Sequence, residues 1–421
     1  MRRVMVTGVG ALTPLGNTFS DSWLAIRAGL SGVRKITGVA TADVPWKIAG
    51  ALRNFSPGAF LTPKEQMRFD PVVHYAVAAS AMALADAGLS ALSLPGSSRD
   101  KESEQAAVPD DVGRRDHCGV VIGSSRGAIR SLEAALSAGR STRLSPYFMP
   151  STTIGMVASS VAQKFRFRGP CLGMSSACAS GSMAIGEAFR LIRHGYAVSA
   201  LAGGSEAPIC KLCIEGYGRT GALSRSAVPS ASRPFDVSRD GFVLAEGACI
   251  IVLEELESAL RRNCRIYGEV VGYYTGTDAF HITKPDSDGE AQAMNAALAD
   301  ANLTRDQVDY VSAHATSTIV GDHAEAMAIK DVFAERPVPV SAIKSMTGHM
   351  LAASGPFEIA CALMSITEGL IPGTINLNKK DPACDVSVTS WNRETEVETA
   401  LCNSFGFGGI NAVVILRKYE S

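Results

Sequence analysis

Short β-branched runs alternate with longer segments of helical period along most of the chain. The apolar runs at 3–7, 119–122, 199–202, 248–253, 310–313, 338–341 and 411–416 predict strands. The periodic segments at 19–29, 71–87, 129–138, 181–194, 290–300, 322–333 and 355–368 predict helices. Alternation of the two is the pattern of α/β architecture. The 71–87 segment is small and apolar on nearly every face (Ala76, Val77, Ala78, Ala79, Ala81), which predicts a buried helix without a polar stripe. The stretch 94–117 breaks the alternation: it is polar, charged and punctuated by Pro and Gly, and predicts a surface loop.

An internal echo runs through the pattern. Ala179-Ser180-Gly181 opens a helical segment that ends near Gly195, and Ala353-Ser354-Gly355 opens one that ends near Gly369, with 14 residues from Gly to Gly in both. Each follows a strand and a reactive residue, Cys178 in the first and His349 in the second. The echo points to two related halves, 1–262 and 263–421.

Composition narrows the function. In 421 residues, Lys+Arg number 40 and Asp+Glu 41, a net charge of −1. No global basic field exists to draw a nucleic acid, so an acidic partner needs a local basic patch. Hydrophobic residues make up 46% and charged residues 19%, enough for a large core. The segments 144–163 and 169–186 are light in charge but rich in Ser, Thr, Gly and Pro, so no membrane span is expected. The opening MRRVMVTGVG enters a strand-like run with no apolar secretory region. Ten Cys in this length are too dilute for a disulfide scaffold and suit a reducing compartment. A cytoplasmic protein is expected.

Three residues carry candidate chemistry. Cys178 lies between a Pro/Gly turn and an amphipathic helix, where the helix's unpaired N–H groups favour a thiolate. A buried structural cysteine would satisfy the same pattern. His314 and His349 each follow a strand, where open α/β sheets present functional groups, although a structural imidazole is the commoner fate of each alone. Cys, His and His together read as a catalytic constellation. Cys210-x-x-Cys213 has no second pair and predicts no metal site. The Gly-rich segment 403–409 (Asn403-Ser404-Phe405-Gly406-Phe407-Gly408-Gly409) reads as a flexible loop able to offer N–H groups to an oxyanion. It lacks the Lys-Ser/Thr of a phosphate loop, and Gly8-x-Gly10 does not continue into a dinucleotide fingerprint.

These motifs, together with Val6-Thr7-Gly8-Val9-Gly10 and the stretch Arg233-Pro234-Phe235-Asp236 through Asp240-Gly241-Phe242, resemble the β-ketoacyl-acyl carrier protein synthases of type II fatty-acid and polyketide synthesis nearly end to end. The resemblance implies a thiolase fold: two duplicated αβαβα halves in one five-layered domain. It implies a condensing enzyme in which Cys178 carries the acyl group and His314 and His349 stabilise the enolate formed from a malonyl thioester. The backbone N–H groups of Cys178 and Phe407 would hold the tetrahedral oxyanion. It also pairs Lys344 with Glu325 and makes Glu358 a supporting or ion-binding carboxylate. Thr316 is a further supporting residue, and Asp278 sits in a second loop against the gate. Phe407 with Gly406 and Gly408 would form that gate. The implied partner is an acyl carrier protein, met by Lys64, Arg68, Arg143 and Lys211. The implied assembly is a homodimer or a heterodimer with a related subunit. No metal and no resident cofactor are implied, because phosphopantetheine belongs to the carrier.

Two departures stand out. Ala315 follows His314 where the family generally has Gly, and a methyl there costs roughly 1 kcal/mol if the backbone needs a positive φ. Arg126 occupies a position at the wall of the acyl pocket where fatty-acid enzymes usually carry a small or apolar residue. It would reshape that pocket or pair at the dimer interface. A thiolase would need a second Cys in the 403–409 loop, and a non-catalytic partner subunit would lose Cys178. Fatty-acid elongation and a pathway-specific polyketide or polyene role both remain open.

Overall fold

The computed structural model describes residues 1–39, 43–89, 115–138, 144–334 and 336–420. Most of the predicted 94–117 loop, and Arg143, therefore lie outside the described residues. The three that fall inside, Arg115–His117, form one 3-10 turn.

Ten strands build two five-stranded units. The first holds β1 (Val4–Leu12), β2 (Cys118–Gly123), β3 (Cys171–Met174), β4 (Ser199–Glu206) and β5 (Gly247–Glu255). The second holds β6 (Gly268–Thr277), β7 (Tyr310–Ser312), β8 (Pro339–Ser341), β9 (Thr399–Gly406) and β10 (Ile410–Arg417). The spatial order is β3-β2-β4-β5-β1 in the first and β8-β7-β9-β10-β6 in the second, so each unit reads 3-2-4-5-1 in its own chain order. Directions match too. The fifth strand runs antiparallel to its first and fourth, and the others are parallel. The repeat of order and direction is what a duplicated half predicts. A short antiparallel pairing, Val4 with Val270 through Val6 with Gly268, joins the units into one sheet, and Ser387–Val388 adds an outer edge strand.

Helices cover both faces. The predicted apolar helix is α1 (Pro71–Asp86), capped by the Asp70 carboxylate and buried along most of its length against β1, β5 and β4. With α2 (Met156–Phe165) it forms the outer layer of the first half. The equivalent layer of the second half is α3 (Ser287–Ala301), packed on β6 and β10, with α4 (Ile319–Val332) beside it. Between the two units lie α5 (Ser180–Arg193) and α6 (Ser354–Glu368). The result is the expected αβαβα sandwich.

Sequence periodicity missed β3, β6 and β9. Gly268, Gly272 and Gly276 interrupt the β6 run, yet a Cβ on Gly272 would lie 2.7 Å from the Ala297 carbonyl, so glycine there admits α3. The expected flexible loop at 403–409 is a correction: Asn403 through Gly406 belong to β9, and Gly406 pairs with Ile410 across a three-residue turn, 407–409. Gly408 and Gly409, at φ 87° and 66°, supply the left-handed conformations of that turn.

Candidate active site

The turn from β3 into α5 presents Cys178. Ala177 takes a left-handed φ of 46°. The Ser180 hydroxyl fixes the bend, accepting from the Ser176 N–H at 2.8 Å and donating to the Ala177 carbonyl at 2.6 Å. The second half builds the same turn 174 positions later. Leu351 has φ 48° against 46° at Ala177, and the Ser354 hydroxyl accepts from the Met350 N–H at 2.8 Å. Gly195 and Gly369, at φ 82° and 66°, lie 174 apart just past the last turns of α5 and α6. By this register the counterpart of Cys178 is Ala352, and that of His349 is Ser175. The sequence pairing of Cys178 with His349 is thereby corrected: the shared Ala-Ser-Gly marks the helices, and His349 falls three positions ahead of the second elbow's tip.

Small residues let these turns meet. A Cβ on Gly181 would lie 2.0 Å from the Ala352 carbonyl oxygen, and one on Gly355 would lie 2.0 Å from Ser182 Oγ. Gly406 brings the β9–β10 turn against the elbow, because a Cβ there would already be 3.2 Å from the Cys178 nitrogen. This approach brings the Phe407 N–H near enough to Cys178 Sγ to favour its thiolate.

His314 and His349 converge on the same sulfur. His349 Nε2 is 3.0 Å from Sγ. The two imidazoles meet edge to face at 5.4 Å between centroids. Sγ and one nitrogen of each ring lie within 4.8 Å of one another, a spacing a soft metal ion would also accept. Burial, then the Lys344 charge, holds both imidazoles well below the usual histidine range, so both are neutral. Ser354 Oγ sits 3.2 Å from His349 Nδ1. The Met350 N–H uses one acceptor site of the same hydroxyl, so Ser354 ties the His349 ring to the backbone of the second elbow. Burial pushes the Cys178 thiol up to about 11, while Lys344, Arg126 and the Phe407 N–H pull it down.

The supporting carboxylates are arranged differently from the expectation. Lys344 pairs with Glu358 at 2.6 Å, with side chains 1% and 3% exposed, and not with Glu325. Glu358 reaches it because α6 starts directly behind the His349 segment. Glu325, on α4, instead accepts the backbone N–H groups of His314 (2.8 Å) and Ala315 (2.6 Å) and the Asn403 amide (3.0 Å). Glu325 thus holds the His314 segment in place. Asn403 is a site residue that sequence reasoning missed; it lay inside a motif read for its glycines. Ala315 keeps an ordinary φ and packs in the core, so its methyl carries no backbone strain; the left-handed residue of that segment is Ser317, at 73°.

A cavity of about 370 Å³ opens onto these groups and is walled by Phe405, Phe407, Tyr217 and Thr316 among others. Asp278 also lines it. Its carboxylate accepts from the Asp286 N–H (3.2 Å) and from Asn411. Its loop is tied to the 407–409 turn by Asp278 N–H to Gly409 O and Gly408 N–H to Ile282 O, 2.8 Å each. Arg126 does not line the cavity. It is exposed and lies over the Tyr217 ring at 5.6 Å, so it touches the wall only through Tyr217. The basic set is scattered in its engagements. Lys211 is bound to Asp43 at 2.6 Å, Arg68 stacks on Tyr147 at 4.0 Å, and Lys64 is exposed on a short helix. None of these three lines the cavity.

Two family models match the chain. Residues 1–259 match the β-ketoacyl synthase N-terminal domain, and residues 267–378 match its C-terminal domain. The chain belongs to the β-ketoacyl synthase family. It is 41% identical to 3-oxoacyl-[acyl-carrier-protein] synthase 2 of a Synechocystis species, over 100% of this chain and 99% of that protein. It is 40% identical to the Vibrio harveyi protein of the same description, over 99% of each. Among solved structures, a β-ketoacyl synthase from Burkholderia phymatum superposes with a TM-score of 0.89 at 34% identity, over the whole of both chains. The ishigamide ketosynthase/chain length factor superposes with a TM-score of 0.87 at 33% identity, also over the whole of both. A type II polyketide ketosynthase solved with its acyl carrier protein and bound to the hexaketide gives 0.87 at 32%, with the same coverage. No described helix is long and apolar enough to cross a membrane.

Proposed function

We propose that this β-ketoacyl synthase is a 3-oxoacyl-[acyl-carrier-protein] synthase that joins a Cys178-bound acyl group to malonyl carrier protein. The observation that carries it is the convergence of one sulfur and two neutral imidazoles within 4.8 Å at the floor of a cavity. Cys178 Sγ, 3.0 Å from His349 Nε2, attacks the acyl thioester carbonyl; the bond to the carrier sulfur breaks and the thiol proton ends on the departing carrier thiol. The malonyl thioester then loses CO2. The electron pair of the broken C–C bond becomes an enolate, whose oxygen takes hydrogen bonds from His314 and His349. Neutral imidazoles suit this step, since they donate N–H without protonating and quenching the nucleophilic carbon. The enolate carbon attacks the acyl-Cys carbonyl, the Cys178 and Phe407 N–H groups hold the tetrahedral oxyanion, and collapse frees the Cys178 thiolate and the β-ketoacyl thioester.

Around this core we read Lys344 as the charge that adds to burial in keeping both imidazoles neutral, and Glu325 as the positioner of His314. Phe407 is the gate that moves with Gly406 and Gly408, with Asp278 anchoring the neighbouring loop. Thr316 faces the arriving phosphopantetheine arm. That arm comes with the carrier, so the enzyme needs no cofactor of its own and no metal. An acidic carrier would meet Lys64, Arg68, Arg143 and Lys211, the last after surrendering its bond to Asp43. The likeness to paired ketosynthase and chain length factor subunits supports a second reading, a pathway-specific polyketide or polyene ketosynthase working with such a partner. The higher identity to the synthase 2 enzymes favours the first. We place the enzyme in the cytoplasm, as a homodimer or that heterodimer, with 1–262 and 263–421 as its two halves.

Intact-protein mass spectrometry after incubation with acyl-carrier thioesters tests the core of this. An acyl adduct in the wild type and none in Cys178→Ala is the expected result. Equal adducts in both proteins would refute the assignment of the nucleophile.

A further inference from the structure

Glu290 takes no part in the steps above. It lies in the first turn of α3, is 1% exposed, and lines the same cavity as Cys178. Its Oε2 has no hydrogen-bond partner among the described residues. No ion pair to a cation forms at it among the described residues. The charged groups that act on it most strongly are Glu325, Asp278, Asp286 and Asp322, all acids. Burial and this acidic company push its carboxyl well above the usual range, which favours the uncharged acid. An uncharged acid carries an O–H donor. A buried donor left without an acceptor destabilises the fold, and a leucine would fill the position without that cost. The group makes sense if something that enters the cavity supplies the acceptor.

We propose that Glu290 is a specificity-determining residue that donates a hydrogen bond to a keto or hydroxyl oxygen on the acyl chain, so that the cavity prefers an oxygenated chain to a saturated one of equal length. A site built to hydrogen-bond a substrate oxygen discriminates strongly against the analogue lacking it, because its own buried group is then left unpaired. The inference rests on the ketosynthase reading of Cys178. It extends that reading by naming the class of chain.

The test measures the rate of Cys178 acylation at sub-saturating 3-oxoacyl, 3-hydroxyacyl and saturated acyl carrier thioesters of one length. The proteins are the wild type, Glu290→Gln and Glu290→Leu. The oxygenated-to-saturated ratio is expected to fall roughly tenfold in Glu290→Leu. Glu290→Gln, which keeps an N–H donor, should retain most of the ratio. Thermal unfolding should show Glu290→Leu at least as stable as the wild type. A ratio unchanged within about twofold in Glu290→Leu overturns the proposal. So does an equal loss on all three substrates, which would put the acceptor on the carrier's arm. A less stable Glu290→Leu with an unchanged ratio marks a structural group and overturns it as well. Absence of any Cys178 adduct in the wild type overturns the ketosynthase reading itself, an outcome distinct from an unchanged ratio.

Discussion

Lys344 and Glu358 form an ion pair with both side chains out of water, and removing either end should separate two effects that are usually confounded. At 2.6 Å and an effective dielectric of about 20, the attraction is about 6 kcal/mol. Much of it offsets the desolvation of both charges. Lys344→Met leaves Glu358 buried without its cation, and its Oε2 already lacks a partner. The expected loss is about 3–5 kcal/mol of unfolding free energy. Lys344→Met combined with Glu358→Leu removes both charges and should recover most of that loss. Activity should not follow. Lys344 depresses both His314 and His349 by its charge, so in the double variant their folded-state pKa values rise toward the ordinary histidine range. If neutral imidazoles are the working forms, the acidic limb of the condensation rate must move to higher pH. The assay is a four-corner cycle, with urea unfolding and a pH–rate profile for each protein. A double variant as unstable as Lys344→Met would refute the pairing. A double variant with restored stability and an unmoved acidic limb would refute the electrostatic role of Lys344.

Other expectations follow from the same geometry. His314→Asn and His349→Asn should each lower condensation by about a hundredfold or more, while Cys178 of the His314 variant still takes up an acyl group. Mass spectrometry of the adduct beside product assay separates the two steps. Gly181→Ala puts a methyl 2.0 Å from the Ala352 carbonyl and should yield little folded protein, whereas Gly406→Ala, at 3.2 Å from the Cys178 nitrogen, should fold and lose acylation rate; circular dichroism with the adduct assay reads both. Both histidines have folded-state pKa values below the unfolded value near 6.5. The unfolded chain therefore binds the extra protons first, and stability falls as pH drops below about 6.5, by at most about 1.4 kcal/mol per pH unit for each histidine. Denaturant midpoints across that range should fall more steeply in the wild type than in a His314→Asn/His349→Asn variant, and parallel slopes would contradict the pKa assignment.

Much of this site was legible because its chemistry sits where chain patterns change. His314 directly follows a strand-like run, His349 lies a short turn beyond one, and Cys178 sits between a Pro/Gly turn and a helix; their residue types narrow the reactions on offer. The second rank of residues was not legible. Nothing in the spacing says whether Glu325 or Glu358 faces Lys344. Helix α6 decides it by starting behind His349 and turning Glu358 inward, which frees Glu325 for the His314 backbone. Asn403 and β9 were hidden for a related reason: the glycines that permit the 407–409 turn dominated the sequence signal and masked the strand leading into it. Strand β6 escaped because its glycines, which weaken a strand pattern, make room for α3. In each case a contact between distant segments chose among options that the local sequence left equal.

The unarmed elbow of the second half has a consequence for how such a molecule can change. Cys178 sits on one copy of the repeated turn, and Ala352 occupies the tip of the other, pressed against the armed copy through Gly181. The two turns meet at the centre of the sandwich, where Cys178 of the first five-stranded unit converges with His314 and His349 of the second. A side chain at Gly181 must push on the Ala352 carbonyl, and one at Gly355 on Ser182. Change in one turn is thereby constrained by the shape of the other, and a substitution in either reaches the group of side chains that both units bring together.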